Sequence, residues 1–293
     1  MTAIALGVGA DLVFGDPRRG HPVALFGRAA AALERVAFRP TRRAGAVHAA
    51  LLTGAVVAVA AAGERTLGTA FRAAALWTAL GARSLMREAG AVAGLVEAGE
   101  IDGARRRIRS LVGRDPEALD AAGLCAAAIE SVAENTVDAV VAPLLWAAAA
   151  GAPGALGHRA VNTLDAMVGH RSPRYARFGT AAARLDDALN WPAARLTAAL
   201  AVALGGHPGA ALRTWRRDAA AHPSPNAGVA EAAFAGALGV RLGGPLAYAG
   251  RAEARPWLGG GRPPGPADVH RAIRLAWSVT AASALLAAAG GRR

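Results

Sequence analysis

The segment AGAVHAALLTGAVVAVAAAG, residues 44–63, decides the fold class of this chain. It contains no Asp, Glu or Arg, and residues 51–62 are apolar around the whole circumference of a helix. A soluble helix of this length carries a polar stripe beside its apolar one, whereas a helix that spans a bilayer needs about 20 mostly apolar residues. The segment therefore predicts a membrane span.

Other apolar windows extend this pattern along the chain. Three more windows without Asp, Glu or Arg reach spanning length, at residues 139–157, 196–212 and 275–291. Two weaker windows are the N-terminal run up to Gly15, which contains Asp11, and residues 66–82, which contain Arg72. Because this last window follows the first strong one after only Glu64-Arg65, we expect the two to form a helical hairpin.

Proline and glycine interrupt two of the windows. Pro143 and Pro153 lie in one, and Gly205-Gly206 with Pro208 lie in the other, which makes both windows candidates for broken or re-entrant helices. The sequence predicts an all-α fold, a polytopic integral membrane helical bundle of about four to six transmembrane helices. We expect a single membrane-embedded domain over residues 1–293. Arginine-rich segments flank every window, so the positive-inside rule leaves the orientation open.

The composition excludes several classes of protein. Hydrophobic residues make up 54% of the chain and charged residues only 18%, which excludes intrinsic disorder. The net charge of +12 comes from arginines spread over all polar segments without interleaved aromatic residues, so we expect no nucleic-acid partner. A single cysteine, Cys125, excludes a disulfide framework and a cysteine-based metal site.

The densest polar motif is ESVAENTVD, residues 130–138. Spacing of four residues predicts that Glu130, Glu134 and Asp138 share one helical face. Three like charges in a stripe repel each other, so a cation should face them. Mg²⁺ with a nucleotide would serve, because Mg²⁺ prefers hard oxygen ligands, and arginine pairing within a helix bundle would serve equally well.

Two further motifs combine acids with asparagine and arginine. They are RAVNTLD (159–165) and RLDDALNW (184–191). Adjacent aspartates with an asparagine three residues on can hold a metal ion that carries phosphates, although Asp-Asp pairs also cap helices. Two loops, GDPRRGHP (15–22) and HPSPNAG (222–228), present charged groups that could clamp an anionic substrate or form ordinary turns. No P-loop, dinucleotide-binding or zinc-protease motif is present.

In chain order these segments resemble one family, the adenosylcobinamide-phosphate synthase (cobinamide synthase) family of cobalamin biosynthesis. The matching stretches cover nearly the whole chain and are GDPRRGHPVALFGR (15–28), ARSLMREAGAV (82–92), VGRDPEALD (112–120), ESVAENTVDAVVAPLLW (130–146), RAVNTLDAMVGHRSPRYARFG (159–179), RLDDALNWPAARLTA (184–198) and SPNAGVAEAAFAGALGVRLGG (224–244). The chain departs from the family at Val229-Ala230, where Trp-Pro is common, and at His170, where Tyr is common. No role is carried over to those positions.

The resemblance implies a membrane carbon-nitrogen ligase. It would be a single enzyme domain with about five transmembrane helices, a multi-pass protein of the cell (inner) membrane. Such an enzyme joins (R)-1-aminopropan-2-ol or its O-phosphate to a propionate carboxyl of adenosylcobyric acid, with ATP and Mg²⁺, and gives adenosylcobinamide (phosphate). A carboxylate is a poor acyl donor, and its phosphorylation creates a mixed anhydride that an amine can attack. That chemistry needs Mg²⁺ ligands and arginines around the transferring phosphoryl group.

The resemblance also implies roles for residues of the matching motifs. The expected catalytic residues are Glu130, Glu134, Asn135 and Asp165. The expected substrate- and phosphate-binding residues are Asp16, Arg18, His21, Arg159, Asn162, Arg184, Asn190 and Asn226. The expected Mg²⁺ ligands are Asp138, Asp186 and Asp187. The expected partners are the corrinoid, aminopropanol phosphate, membrane lipid and other cobalamin-pathway enzymes.

Two other functions fit parts of the sequence. A membrane prenyltransferase could hold Mg²⁺-diphosphate on the aspartates of NTLDA and DDALN, although the chain lacks the repeated full acidic motif of such enzymes. A transporter without enzymatic activity could use Asp11, Arg72 and the helix carboxylates as an ion path, although no two related halves are present. Formation of an amide product would distinguish the ligase from both.

Overall fold

The computed structural model describes residues 1–17, 20–113, 116–170, 172–244, 246–248, 251–253 and 255–291, with only the backbone described for 246–248 and 251–253. The structure is 78% helical, which confirms the all-α prediction. The α-helices are α1 (Thr2–Phe14), α2 (Pro22–Ala37), α3 (Arg42–Ala79), α4 (Ala82–Glu97), α5 (Ile101–Ile108), α6 (Ala121–Thr136), α7 (Ala142–Leu164), α8 (Thr180–Leu204), α9 (Pro208–Asp218), α10 (Ala227–Leu238) and α11 (Pro266–Gly290).

Short irregular helices and strands complete the structure. Two π-helical segments, Val137–Val141 and Asp165–Gly169, follow α6 and α7, and a 3₁₀ turn, Ala219–Ala221, follows α9. The short strands are β1 (Leu242–Gly243), β2 (Leu246–Tyr248), β3 (Arg251–Glu253) and β4 (Trp257–Leu258), in which β1 pairs with β4 and β2 with β3, both antiparallel. The all-α prediction did not include these two small ladders.

The chain divides into two compact units, each built from separate stretches of sequence. Unit 1 comprises Met1–Gly81, Asp138–Ala193 and Ser283–Arg293, and unit 2 comprises Ala82–Val137 and Ala194–Ala282.

The predicted helical hairpin is present in unit 1. Helix α3 is interrupted at Gly68, whose φ of 56° and ψ of −131° are not helical. On either side of this break, Ala60 and Ala75 pack into one buried cluster with Ala152. In a straight helix Ala60 and Ala75 would lie about 22 Å apart. The chain therefore reverses at Gly68, a few residues beyond the Glu64-Arg65 pair at which the hairpin was expected.

Glu64 ties this hairpin to α7. Its Oε1 accepts hydrogen bonds from the guanidinium of Arg72, and its Oε2 accepts one from the backbone N–H of Ala152 at 2.6 Å. Helix α7 is interrupted there, at Ala150 and Gly151, and Gly151 has a φ of 66°. The window at 139–157 is thus broken as predicted, but the break lies between its two prolines. The window at 196–212 is also broken, since α8 ends at Leu204 and α9 begins at Pro208.

Each unit has its own buried core. In unit 1, Phe178, Leu164, Val168 and Ala30 belong to one buried cluster, against which Phe26 and Tyr175 pack. In unit 2, every residue of α10 is buried. Helix α9 lies close against α10, because a Cβ on Gly236 would come within 2.6 Å of the Cα of Ala211.

Three segments are long and apolar enough to cross a membrane among the residues that the structure describes. They are Arg42–Glu97, Ala121–Gly169 and Pro266–Gly290, and Thr2–Phe14 and Ala227–Leu238 are shorter apolar helices. These segments make the chain a membrane protein. Its number of passes and its place in the inner membrane stay predictions.

Candidate functional site

A hydrogen-bonded network in unit 1 joins three of the sequence motifs. The amide Nδ2 of Asn162 donates to Asp138 Oδ2 at 3.0 Å and to Asp186 Oδ1 at 3.2 Å. The amide Nδ2 of Asn190 donates to Asp186 Oδ2 at 3.0 Å. Both oxygens of Asp186 are therefore fixed, and one amide group bridges two carboxylates. We call Asp138, His158, Arg159, Asn162, Asp186 and Asn190 the amide–carboxylate cluster.

Helix geometry places these groups. Asp186 and Asn190 are four residues apart on α8 and share a face. Asn162 lies in the last turn of α7, and Asp138 lies in the π-helical segment that precedes α7. A π-helical turn changes the direction of the side chains that follow it, and such turns occur often at functional sites. Asp138 therefore lies within a π-helical turn, directly before the helix that carries Asn162.

The three acids of the predicted stripe differ in how far their side chains are exposed. Glu130 is 6% exposed, Glu134 is exposed and Asp138 is partly exposed. Within unit 2, Glu130 Oε1 accepts the backbone N–H of Gly243 at 2.8 Å. Asp138 belongs to the amide–carboxylate cluster of unit 1.

Arg159 supplies positive charge to the cluster. Its Nη1 donates to Asn162 Oδ1 at 3.2 Å, and its charge interacts with those of Asp138, Asp16 and Asp186. Asp16 comes from the GDPRRGHP motif near the N-terminus, so a fourth motif approaches the cluster.

The rest of the GDPRRGHP motif is described in part. His21 Nε2 lies 3.7 Å from Asp16 Oδ1, and His21 Nδ1 accepts the backbone N–H of Val23 at 3.1 Å, which caps α2. Arg18, an expected phosphate ligand, lies outside the described residues.

Our sequence interpretation missed His158. Its Nε2 donates to Asn190 Oδ1 at 2.8 Å, and the residue is 2% exposed. Its Nδ1 has no hydrogen-bond partner among the described residues. His158 stands four residues before Asn162, a spacing that puts both on one helix face and could have identified it.

The surroundings of the paired aspartates favour their protonated forms. Burial raises the pKa of Asp186, and the nearby charge of Asp187 raises it further, although hydrogen bonds from Asn162 and Asn190 oppose the change. Burial also raises the pKa of Asp187. A raised pKa means that each carboxylate takes up a proton at a higher pH than an exposed aspartate does.

The hydrogen bonds described above do not include the remaining predicted residues of unit 1. Asp165 begins the second π-helical segment, and its carboxylate lies against Gly169, where a Cβ would collide with it. Arg184 is exposed on α8, and Asp187 is partly exposed.

The other predicted residues belong to unit 2. Asn135 Nδ2 donates to Ser131 O at 3.0 Å and to Ser131 Oγ at 3.1 Å. Asn226 precedes the first turn of α10, and its Oδ1 accepts from Arg195 Nη1 at 2.7 Å. Glu130 lines a cavity of 250 Å³ together with Arg241 and Trp257.

The donor set of unit 1 fits Mg²⁺ that arrives with phosphates. Among the described residues, no group of three His, Cys, Asp or Glu side chains is arranged to hold a metal ion alone. Mg²⁺ is usually held by one or two carboxylates together with substrate phosphates. Asp138 and Asp186, bridged by Asn162, are such a pair of carboxylates.

Comparison with known proteins identifies the family. The family described as CobD/Cbib protein matches residues 4–276. The chain belongs to this family. This membership confirms the resemblance that the motifs indicated.

Relatives in the CobD/Cbib family align with nearly the full chain. A protein of Mycobacterium tuberculosis named "Cobalamin biosynthesis protein CobD" is 56% identical over 292 residues, which cover 97% of this chain and 93% of the relative. Proteins of the same name are 41% identical in Rhodobacter capsulatus, over 94% of this chain and 91% of the relative, and 43% identical in Chromobacterium violaceum, over 90% and 88%. No solved structure matches the chain.

Proposed function

We propose that this protein acts in cobalamin biosynthesis as a membrane carbon-nitrogen ligase. It joins (R)-1-aminopropan-2-ol or its O-phosphate to a propionate carboxyl of adenosylcobyric acid at the expense of ATP. Membership of the CobD/Cbib family and the names of the relatives support the pathway. The observation that carries the reaction type is the pair of aspartates bridged by Asn162 beside Arg159.

In this proposal the carboxylates and the arginine divide the work of binding phosphate. Asp138 and Asp186 would hold Mg²⁺, and Asp187 follows Asp186 on α8. Bound Mg²⁺ would supply the positive charge that offsets the phosphate oxygens of ATP during phosphoryl transfer. Arg159 orients an anionic group, either a phosphate or the propionate, through its charged guanidinium. Asn162 and Asn190 keep the Asp186 carboxylate in one orientation.

The reaction also needs a proton acceptor. As the C–N bond forms, phosphate leaves the activated carboxyl and the amine nitrogen loses a proton. A carboxylate with a raised pKa accepts a proton more readily than an ordinary one at the same pH. Asp187, which is partly exposed and has a raised pKa, takes this role.

Amide formation by the purified full chain tests the proposal. The protein in detergent is given adenosylcobyric acid, ATP, Mg²⁺ and either amine, and the product is followed by mass spectrometry. We expect product with the wild type, none with Asp186→Asn, and a reduction of about 10- to 100-fold with Asn162→Ala, which removes only the bridging group. Asp102→Asn is the matched control, because Asp102 is exposed and pairs with Arg105.

Two results would contradict the proposal. One is full activity in both Asp186→Asn and Asn162→Ala. The other is absence of product with the folded wild type under all combinations of the substrates, and uptake of a corrinoid into vesicles under those conditions would favour a transporter instead.

A further inference from the structure

Unit 2 contains an arginine-lined cleft that the proposed ligase chemistry does not use. Its volume is 560 Å³, within the range of about 300–1,000 Å³ that is usual for small-molecule sites. Three arginines of α9 line one wall, and the end of α10 and a glycine-rich loop complete it. We call this the α9 cleft, and its arginines are Arg213, Arg216 and Arg217.

Two of the three arginines in the α9 cleft have no acidic partner among the described residues. Arg217 forms a bidentate pair with Asp218, at 2.5 Å and 2.8 Å. Arg213 and Arg216 make no ion pair or hydrogen bond with any residue that the structure describes, and no acidic side chain among those residues lines the cleft. The Asp218 carboxylate, which pairs with Arg217, also accepts the backbone N–H of Gly259 at 2.8 Å. Two guanidinium groups one helical turn apart are thus available to a bound anion.

Glycine residues form another part of the cleft lining, where backbone atoms rather than side chains are exposed. Gly239, Gly260 and Gly261 have no side chains to keep a ligand away from the backbone. The N–H groups of Gly260 and Gly261 donate to no acceptor among the described residues. Backbone N–H groups in a glycine-rich loop together with arginines are a donor set suited to phosphate oxygens.

We infer that the α9 cleft binds a phosphate-bearing anion. Arg213 and Arg216 contact the phosphate oxygens through their guanidinium groups, and the glycine-rich loop contacts them through its backbone N–H groups. The chemistry fits a soluble polyphosphate, such as the pyrophosphate part of a nucleotide, and the headgroup of an anionic lipid presents similar oxygens. The inference does not rest on the ligase proposal, since it concerns a different set of residues.

Calorimetric titration of the full chain in detergent with pyrophosphate tests the inference. EDTA is included, so that Mg²⁺-dependent binding at the amide–carboxylate cluster does not contribute. We expect binding by the wild type, and an affinity at least about tenfold weaker in Arg213→Gln/Arg216→Gln, because each lost guanidinium removes a charge-assisted hydrogen bond. Both side chains are exposed, so the replacement should leave folding intact.

The matched control is Arg35→Gln/Arg65→Gln, which removes the same net charge from two exposed arginines of unit 1. Its affinity should equal that of the wild type. Absence of binding by the wild type, or equal affinity in the cleft variant and the wild type, would overturn the inference.

A second titration, in the presence of lipid, identifies the source of the phosphate. The titration is repeated in nanodiscs of phosphatidylcholine with and without phosphatidylglycerol. Loss of pyrophosphate affinity in the presence of phosphatidylglycerol assigns the cleft to a lipid headgroup. Unchanged affinity assigns it to a soluble polyphosphate.

Discussion

Asp186 is the residue on which the amide–carboxylate cluster depends. Asn162 holds one of its oxygens and Asn190 holds the other, and Asn190 is held in turn by His158. An aspartate this deeply buried is costly unless hydrogen bonds offset the loss of water. The two asparagines supply those bonds, and they leave the carboxylate able to ionise and bind a cation.

The pH dependence of activity should report this environment. The raised pKa of Asp186 means that its ionised form is lost as the pH falls through a value above the ordinary 3.8. The acid limb of kcat/KM should therefore lie at a higher pH than that of an exposed aspartate. Asn190→Ala removes a hydrogen bond that stabilises the ionised carboxylate of Asp186, so it should move this limb to higher pH.

The measurement is kcat/KM for amide formation as a function of pH in the wild type and Asn190→Ala. Asp102→Asn, at an exposed position, should leave the limb in place. An acid limb that does not move in Asn190→Ala would contradict the assignment of the limb to Asp186.

At the scale of elements, interruptions at two glycines determine the course of helices α3 and α7 in unit 1. Helix α3 reverses at Gly68 and α7 is interrupted at Gly151, and the Glu64 carboxylate joins the two elements. A Cβ at Gly151 would come within 2.5 Å of Glu64 Oε2. The two glycines therefore have different roles, since Gly68 provides an unusual backbone conformation and Gly151 also provides room for a carboxylate.

Gly68→Ala should destabilise the protein by about 1–3 kcal/mol, because only glycine adopts its backbone angles without strain. A Cβ at this position meets no atom within 4 Å, so the loss would come from the backbone alone. Thermal unfolding in detergent measures it.

Gly54→Ala is the matched control in the same helix. Gly54 has open space around its Cβ and no positive φ, so alanine there should stabilise the helix by about 0.5–1 kcal/mol. Equal unfolding temperatures for the two variants would show that Gly68 is not under backbone constraint.

At the scale of the whole molecule, the long apolar segments determine how the chain can sit in a bilayer. The first arm of the hairpin, residues 42–67, is about 39 Å long as a straight helix, more than the hydrocarbon thickness of about 30 Å. It carries Arg42-Arg43 at its N-terminal end and Arg65 near its other end, so the positive-inside rule does not choose between its two orientations. In either orientation, the arm is expected to cross the membrane with its ends on opposite sides.

Cysteine labelling tests this crossing. Cys125 is the only cysteine and is buried, so Cys125→Ala provides a background without thiols. An impermeant maleimide applied to intact cells should label only one of two variants, Arg42→Cys or Leu67→Cys, whose parent side chain is 64% exposed. It should label the other variant only after the membrane is permeabilised. Labelling of both positions from the same side would show that the arm does not cross.

The sequence by itself determined the fold class, the hairpin and the family. Apolar length and the order of motifs along the chain are local properties, and they can be read without knowing what packs against what. The window at 44–63 lies within α3, and the window at 275–291 is helical up to the end of α11 at Gly290. The windows at 139–157 and 196–212 are broken as their prolines and glycines predicted.

Only the tertiary structure decided which acids meet. Spacing in the sequence grouped Asp138 with Glu130 and Glu134, whereas the fold joins it to Asn162 and, through that amide, to Asp186. These partners are separated by 24 residues or more. Their meeting depends on how α7 and α8 pack within unit 1. This packing is a non-local effect, because a side chain's partner is fixed by the rotation and position of whole helices rather than by its place in a motif.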